Sequence, residues 1–194
     1  MTLTKLIKSA AFVVAATLAM AGTAMAQSTI LVVDQGRVLR DSSAGKHVQR
    51  QIESIGKQME TEMKSQVTPL TSERDRLVAE LKNMSVDALK TRPDLQQRAK
   101  SLQEKGAKSQ VEAAYKQREL QITEAKAVGQ INNKLESILE AIVKERNADI
   151  ILDRSLVIYG GKTADITDTV ISRLNSQLQS VSVVRERLPR NAGK

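Results

Sequence analysis

Apolar residues recur along one helical face from Val48 through Ile52, Ile55, Met59, Met63, Val67, Leu70, Leu77 and Leu81 to Met84. The steps are threes and fours, with Arg74 standing where one apolar residue is skipped, and this is the period of an amphipathic helix. A second stripe, at Val128, Ile131, Leu135, Ile138 and Ile142, has the same period. Between Ala99 and Ala127 it thins to Leu102, Ala107, Val111, Ala114 and Ile122. The two stripes predict a helical hairpin over residues 45–146, turning back near residues 85–93. Arms of about 40 and 50 residues would reach roughly 60–80 Å at the α-helical rise, far more than a globular core uses.

Several breakers lie inside these arms. Pro69 predicts a kink, or a fresh start with Thr68 as cap and Pro69 at the first position. Gly56, Gly106 and Gly129 each weaken a helix by roughly 1 kcal/mol against alanine, and are read either as tolerated imperfections or as points where the arms bend. At the turn, Ser85 can cap a short helix, and Thr91-Arg92-Pro93-Asp94 is a start signal for the return arm.

The flanks have a different period. Residues 29–33, Thr-Ile-Leu-Val-Val, form a continuous β-branched and apolar run closed by Asp34, Gln35 and Gly36, which predicts a short buried strand. A helical turn over residues 36–40 and the cap residues Asp41, Ser42 and Ser43 lead into the first arm. Beyond the second arm, Ile150-Ile151-Leu152-Asp153 and Leu156-Val157-Ile158-Tyr159, separated by Arg154-Ser155 and closed by Gly160-Gly161, predict two neighbouring strands. A last amphipathic helix runs through Ile166, Val170, Ile171, Leu174 and Leu178. The tail, residues 182–194, is basic and is expected to be disordered.

Residues 27–44 and 147–181 thus form one small head, closed when the hairpin doubles back. Three strands and one helix cannot cover both sheet faces and the sheet edges, so the head is expected to pair with further copies of itself. The residues expected at that oligomer interface are Ile30, Leu31, Val32, Val33, Ile150, Ile151, Leu152, Val157, Ile158 and Tyr159. The fold class is α+β, mainly α.

Composition narrows the picture. Residues 1–26 carry Lys5 and Lys8, an apolar run over residues 10–20 and Ala24-Met25-Ala26, the layout of a cleaved secretory signal, with the mature chain starting at Gln27. The run is too short to span a bilayer. A periplasmic location is expected. Cysteine is absent, which excludes disulfides, thiol chemistry and zinc–thiolate sites. Tyr115 and Tyr159 are the only aromatics after the signal, so the core is aliphatic.

Of the formal net charge of +8, two units belong to the signal. Much of the remainder gathers at residues 88–111, where Lys90, Arg92, Arg98, Lys100, Lys105 and Lys108 face only Asp94 and Glu104. The ordinary account is a solvated helix face. The sharper one is a basic arm tip that attracts acidic polypeptides or an anionic surface, within the roughly 10 Å that screening leaves at 0.1 M salt. Specific nucleic-acid binding is not expected, because stacking aromatics are missing.

Catalytic signals are weak. Gly160-Gly161-Lys162-Thr163 lacks the earlier glycine and the spacing of a phosphate-binding loop. Asp34, Asp149 and Asp153 are read as strand-end caps rather than an acid–base pair, and the single histidine, His47, has no nucleophile pattern beside it. No enzyme activity, cofactor or metal is expected.

The opening Ile30-Leu31-Val32-Val33-Asp34, the closing Ala148-Asp149-Ile150-Ile151-Leu152-Asp153 through Val157-Ile158-Tyr159, and Asp165-Ile166-Thr167-Asp168 before the last helix resemble the Skp (OmpH-like) family of periplasmic chaperones. The long hairpin matches in length and character rather than by motif. The resemblance implies a homotrimer with a barrel-like body and three tentacle-like arms around a cavity. It also implies ATP-independent holding of unfolded outer-membrane proteins. Family members are associated with a lipopolysaccharide site on the arms, for which no motif stands out in this chain. From the residues alone the oligomer is simply more than one copy. Two other classes fit a helical hairpin: a structural coiled-coil spacer, which leaves the head unexplained, and a periplasmic adaptor, which needs larger β domains than residues 27–44 can supply.

Overall fold

The computed structural model describes residues 28–82 and 84–190. The expected signal segment lies outside them, as do Asn83 and residues 191–194. β1 (Ile30–Val33) leads into α1 (Gln35–Asp41), and the two long helices are α2 (Ser43–Lys82) and α4 (Pro93–Arg146), with the short α3 (Val86–Lys90) between them. β2 (Ile150–Asp153), a 3-10 turn (Arg154–Leu156) and α5 (Thr167–Gln177) complete the described elements.

Local chemistry sets the boundaries. Asp34 accepts the Arg37 N–H at 2.7 Å and so starts α1, and Ser42 Oγ accepts the Gly45 N–H at 3.1 Å and starts α2. The two helices pack so closely at this corner that a Cβ on Gly45 would stand 1.6 Å from the Leu39 carbonyl oxygen; only glycine fits without backbone movement. Ser85 caps α3 through the Ala88 N–H, and Pro93 occupies the first turn of α4. Thr91 does not cap α4; its hydroxyl donates to the Ala88 carbonyl and closes α3 instead.

α2 passes through Pro69 without restarting, so the fresh start expected at Thr68 does not occur. Proline deprives the carbonyl four residues earlier of its donor. Residues 64–69 are exposed, so water can satisfy the carbonyl of Ser65. α4 ends at Asn147, whose φ of 48° is left-handed, a conformation asparagine tolerates better than most residues.

β1 and β2, brought together by the hairpin, pair in parallel with Ile30 opposite Ile150 and Val33 opposite Asp153. Where a third strand is expected at residues 156–159, the chain leaves the sheet. Asp153 Oδ1 accepts both the N–H and the hydroxyl of Ser155, folding the backbone into the 3-10 turn. The free edge of β1 is taken instead by residues 164–166, through Val32 N–H to the Ala164 carbonyl (2.8 Å) and Ile166 N–H to the Val32 carbonyl (2.9 Å).

The main core lies at the head end, where Val33, Val38, Val48, Ile138, Val170 and Leu174 belong to one buried cluster. Thr167 ties the start of α5 to that of α1 by accepting the Asp34 N–H. Burial of each large aliphatic side chain stabilises the head by about 1.5–3 kcal/mol.

The tail corrects another expectation. Residues 181–190 are not a free end but an extended strap along the arm. Val181 is buried with the core, Gln130 donates to the Ser182 carbonyl, and the charged residues that follow have partners on both long helices.

Candidate functional site

The buried face of α4 holds a 3-and-4 rhythm from Lys116 through Glu119, Thr123, Ala127, Ile131, Leu135 and Ile138 to Ile142. Its first three members are polar. Glu119 is fully buried, and Lys116 is 7% exposed, deep burial for ionisable side chains that water normally solvates. What covers them is the strap.

Arg185 forms a two-pronged bond with Glu62 of α2, Nη1 to Oε1 at 2.8 Å and Nη2 to Oε2 at 3.1 Å, and Lys116 of α4 donates to the same carboxylate. Five residues on, Arg190 grips Glu112 in the same two-pronged way, at 2.8 and 2.7 Å. It also donates to Glu119 Oε1 at 2.6 Å and lies 4.6 Å from the centre of the Tyr115 ring, within cation–π range. The strap backbone is read too: Glu186 N–H donates to Thr123 Oγ1 and Leu188 N–H to Glu119 Oε1, both at 2.9 Å. Alternate N–H groups of an extended chain point the same way, so acceptors one helical turn apart can catch both.

Electrostatics follow from these bonds. The Arg185 and Lys116 hydrogen bonds hold the Glu62 carboxyl down at about 2 against the upward push of burial. For Glu119, burial pushes upward most strongly. The Arg190 bond, the Leu188 N–H and the charges of Arg190 and Arg185 together outweigh it, leaving the carboxyl below its ordinary value.

The basic tip looks different in three dimensions. Lys90 pairs with Asp87 at 2.9 Å, Arg92 with Asp94 at 2.7 Å, and Arg98 with Glu73 and Glu80 of α2 at 2.7 and 2.9 Å. The Arg92 bond holds the Asp94 carboxyl at about 2. Lys100, Lys105 and Lys108 are exposed and form no ion pair among the described residues. The structure therefore separates the six into three with partners and three facing solvent.

Between the tip and the strap the arms part around an open groove of about 500 Å³, lined by Met63, Val67 and Leu70 of α2 and by Leu102, Gly106 and Ala113 of α4. This is where the apolar stripe of the return arm thins: small residues there leave space that the facing α2 stripe does not fill.

In the head, Leu31, Val32 and Val33 are buried within the chain, Ile151, Leu152 and Val157 are half-buried, and Ile30 and Ile150 are exposed. Ile158, at 103% exposure, and Tyr159, at 91%, stand clear of the chain's own packing. Asp34 and Asp153 accept the nearby backbone N–H groups of Arg37 and Ser155, whereas Asp149 accepts that of Thr29, 120 positions away, before the start of β2 and at the end of the pair opposite Asp153. Among the described residues no group of His, Asp or Glu is placed to hold a metal.

Lys116, Glu119 and Thr123 escape a search for apolar periodicity because they are polar. Counting down from Ile131 by fours reaches Ala127, Thr123 and Glu119, and a further three reaches Lys116, so the face was present in the spacing but hidden by residue type.

The model of a family described as outer membrane protein (OmpH-like) matches residues 29–174. Among solved structures, the chain is similar to a proposed OmpH-like outer membrane chaperone from Caulobacter crescentus, with 27% identity over 84% of this chain and 93% of that one and a TM-score of 0.70. No curated protein matches.

Proposed function

Because this chain belongs to the OmpH-like outer membrane protein family, we propose that it is a periplasmic chaperone that holds unfolded outer-membrane proteins between its arms without using ATP. The observation that carries this reading is the placement of the core. The main buried cluster sits at the head, yet α2 and α4 continue for 40 and 54 residues in all, and their distal parts, where Leu77 and Leu95 are buried outside that cluster, leave an open groove lined largely by apolar residues. Such arms offer surface rather than stability.

Assembly completes the device. Among the described residues β2 pairs only with β1, and Ile158 and Tyr159, a few residues after β2 in the chain, are exposed to solvent. We read these as the contact with neighbouring copies, three in the family's arrangement, whose arms then enclose a shared cavity. Many weak apolar contacts linked in one particle raise avidity, and a client leaves when folding or insertion removes the unfolded form that is bound. Lys100, Lys105 and Lys108 add attraction to acidic clients, lipopolysaccharide or an anionic membrane surface, with Lys90, Arg92 and Arg98 positioned at the same tip by their ion pairs.

Dilution of a urea-unfolded β-barrel outer-membrane protein into buffer, with and without the purified chain and without nucleotide, tests the reading. Aggregation suppressed at stoichiometric amounts is the expected result. Unchanged aggregation removes the holding role and favours a structural spacer.

A further inference from the structure

The strap has no place in the holding mechanism. It also lies beyond the range over which the family model matches, which ends at residue 174. Its docking site is nonetheless a built one. Glu62, Glu112 and Glu119 are spaced to take two guanidinium groups five residues apart, and Thr123 and Glu119 accept two alternate backbone N–H groups. Tyr115 supplies an aromatic face to the second arginine. Glu119 is fully buried; its second oxygen, Oε2, and Arg185 Nε find no hydrogen-bond partner among the described residues, and Arg185 Nη2 stands 3.9 Å from Oε2. A buried carboxylate is costly unless it is paired, and Glu119 finds its donors on the strap, in Arg190 and the Leu188 N–H, which marks a site for a cationic extended segment rather than for helix packing.

We propose that this face of the arm is a binding site for extended polypeptide carrying arginines, and that residues 181–190 are its resident ligand, which exchanges with such segments supplied by other chains. The chemistry is general in one respect and selective in another. Backbone N–H groups are available from any extended chain, so recognition through Thr123 and Glu119 is indifferent to sequence. The carboxylates select guanidinium, whose planar fork matches a carboxylate two bonds at a time where an ammonium cannot. Because the resident segment is tethered, it acts at an effective concentration in the millimolar range, and a segment from outside must compete with it. The site adjoins the groove, because Glu62 and Glu112 are chain neighbours of the groove residues Met63 and Ala113, but it takes guanidinium and backbone N–H groups where the groove offers apolar surface, so it goes beyond the holding role.

A labelled peptide with the sequence of residues 181–190 is the probe, added to the full-length protein and to its Arg185→Ala/Arg190→Ala variant, whose own tail has lost its two anchors. Circular dichroism checks that the arms remain helical, and amide exchange at Glu186 and Leu188 reports whether the tail is docked. Slowed exchange in the wild type, fast exchange in the variant, and probe binding about tenfold or more tighter to the variant are expected. Adding Glu119→Gln to the variant, or replacing both arginines of the probe by alanine, is expected to weaken binding by a similar factor. Equal binding to the two proteins overturns the proposal, as does saturable binding that ignores the probe's arginines. A variant whose tail remains protected from exchange overturns it as well, because the arginines would then not be the anchors.

Discussion

Arg185 and Glu62, 123 positions apart in the chain, meet at 2.8 Å and join the tail to the outward arm. Lys116 of the return arm reaches the same carboxylate, so one glutamate ties three segments together at mid-arm. That junction makes the docking of the tail sensitive to acid.

The carboxyl of Glu62 sits at about 2 in the folded chain against an ordinary 4.5. A depressed carboxylate contributes its stabilisation in full above its unfolded value and loses it as the pH falls through the folded one. The tail is therefore expected to stay docked at pH 7 and to loosen between pH 4.5 and about 2 as Glu62 protonates, with Glu112 and Glu119, also held below their ordinary value, releasing Arg190 as they protonate in acid. The cysteine-free chain allows a single spin label at Val184→Cys, an exposed position. Restricted label motion at neutral pH and free motion in acid are expected; free motion at every pH would contradict the docked strap.

Glycine substitutions should split by position. Gly45→Ala places a Cβ against the Leu39 carbonyl and is expected to cost about 1–3 kcal/mol or more, as overpacking does. A Cβ on Gly106 or Gly129 meets nothing within 4 Å, so alanine there is expected to stabilise the helix by about 0.5–1 kcal/mol. Thermal melts followed by the helical circular dichroism band give the order of the three. If Gly45→Ala melts no lower than the wild type, the close α1–α2 corner is wrong.

Apolar truncation should show where the fold is held. Ile138 is buried in the head cluster, and Ile138→Ala is expected to cost about 2–5 kcal/mol. Val111 lies in the distal part of α4 and is exposed, so Val111→Ala is expected to stay within about 0.5 kcal/mol. Urea titrations of the two variants measure the contrast, and equal losses would contradict the burial of Ile138 in the head cluster.

The head surface should govern assembly without governing the fold of the single chain. Ile158→Asp/Tyr159→Asp alters two side chains that the chain's own packing leaves in solvent. Light scattering is expected to show fewer copies per particle than in the wild type while helical content is unchanged. A variant that assembles like the wild type would move the interface elsewhere.

The long arms were legible because a period of 3.6 sustained over so many residues suits a helix and little else, and Ser85, Pro93 and the break between them announce the reversal. The parallel pair β1–β2 was half legible: both apolar runs stand out, but their direction depends on a hairpin more than a hundred residues long. The run at residues 156–159 misled because its apolar, β-branched character suits a strand, whereas the Asp153–Ser155 contact that diverts the chain is a local polar detail. Among the described residues Ile158 has no strand partner, so composition and conformation part there. The strap was hidden for the opposite reason. A basic, proline-containing end reads as solvated, and its order comes from Glu62, Glu112 and Glu119, which are scattered along two helices with nothing in the sequence to bring them together. At the tip, counting charge by segment overlooked Glu73 and Glu80, which belong to the other arm and reach Arg98 only after the hairpin closes.

The central claim, that a small head gathers several copies whose arms hold an unfolded chain, is tested most directly by the mass of the loaded particle. The purified mature chain is mixed with an unfolded β-barrel outer-membrane protein, without nucleotide, and sized by light scattering coupled to gel filtration. One soluble species containing several copies of this chain and one client is the predicted result. A chain that elutes as a lone copy while the client precipitates would contradict it.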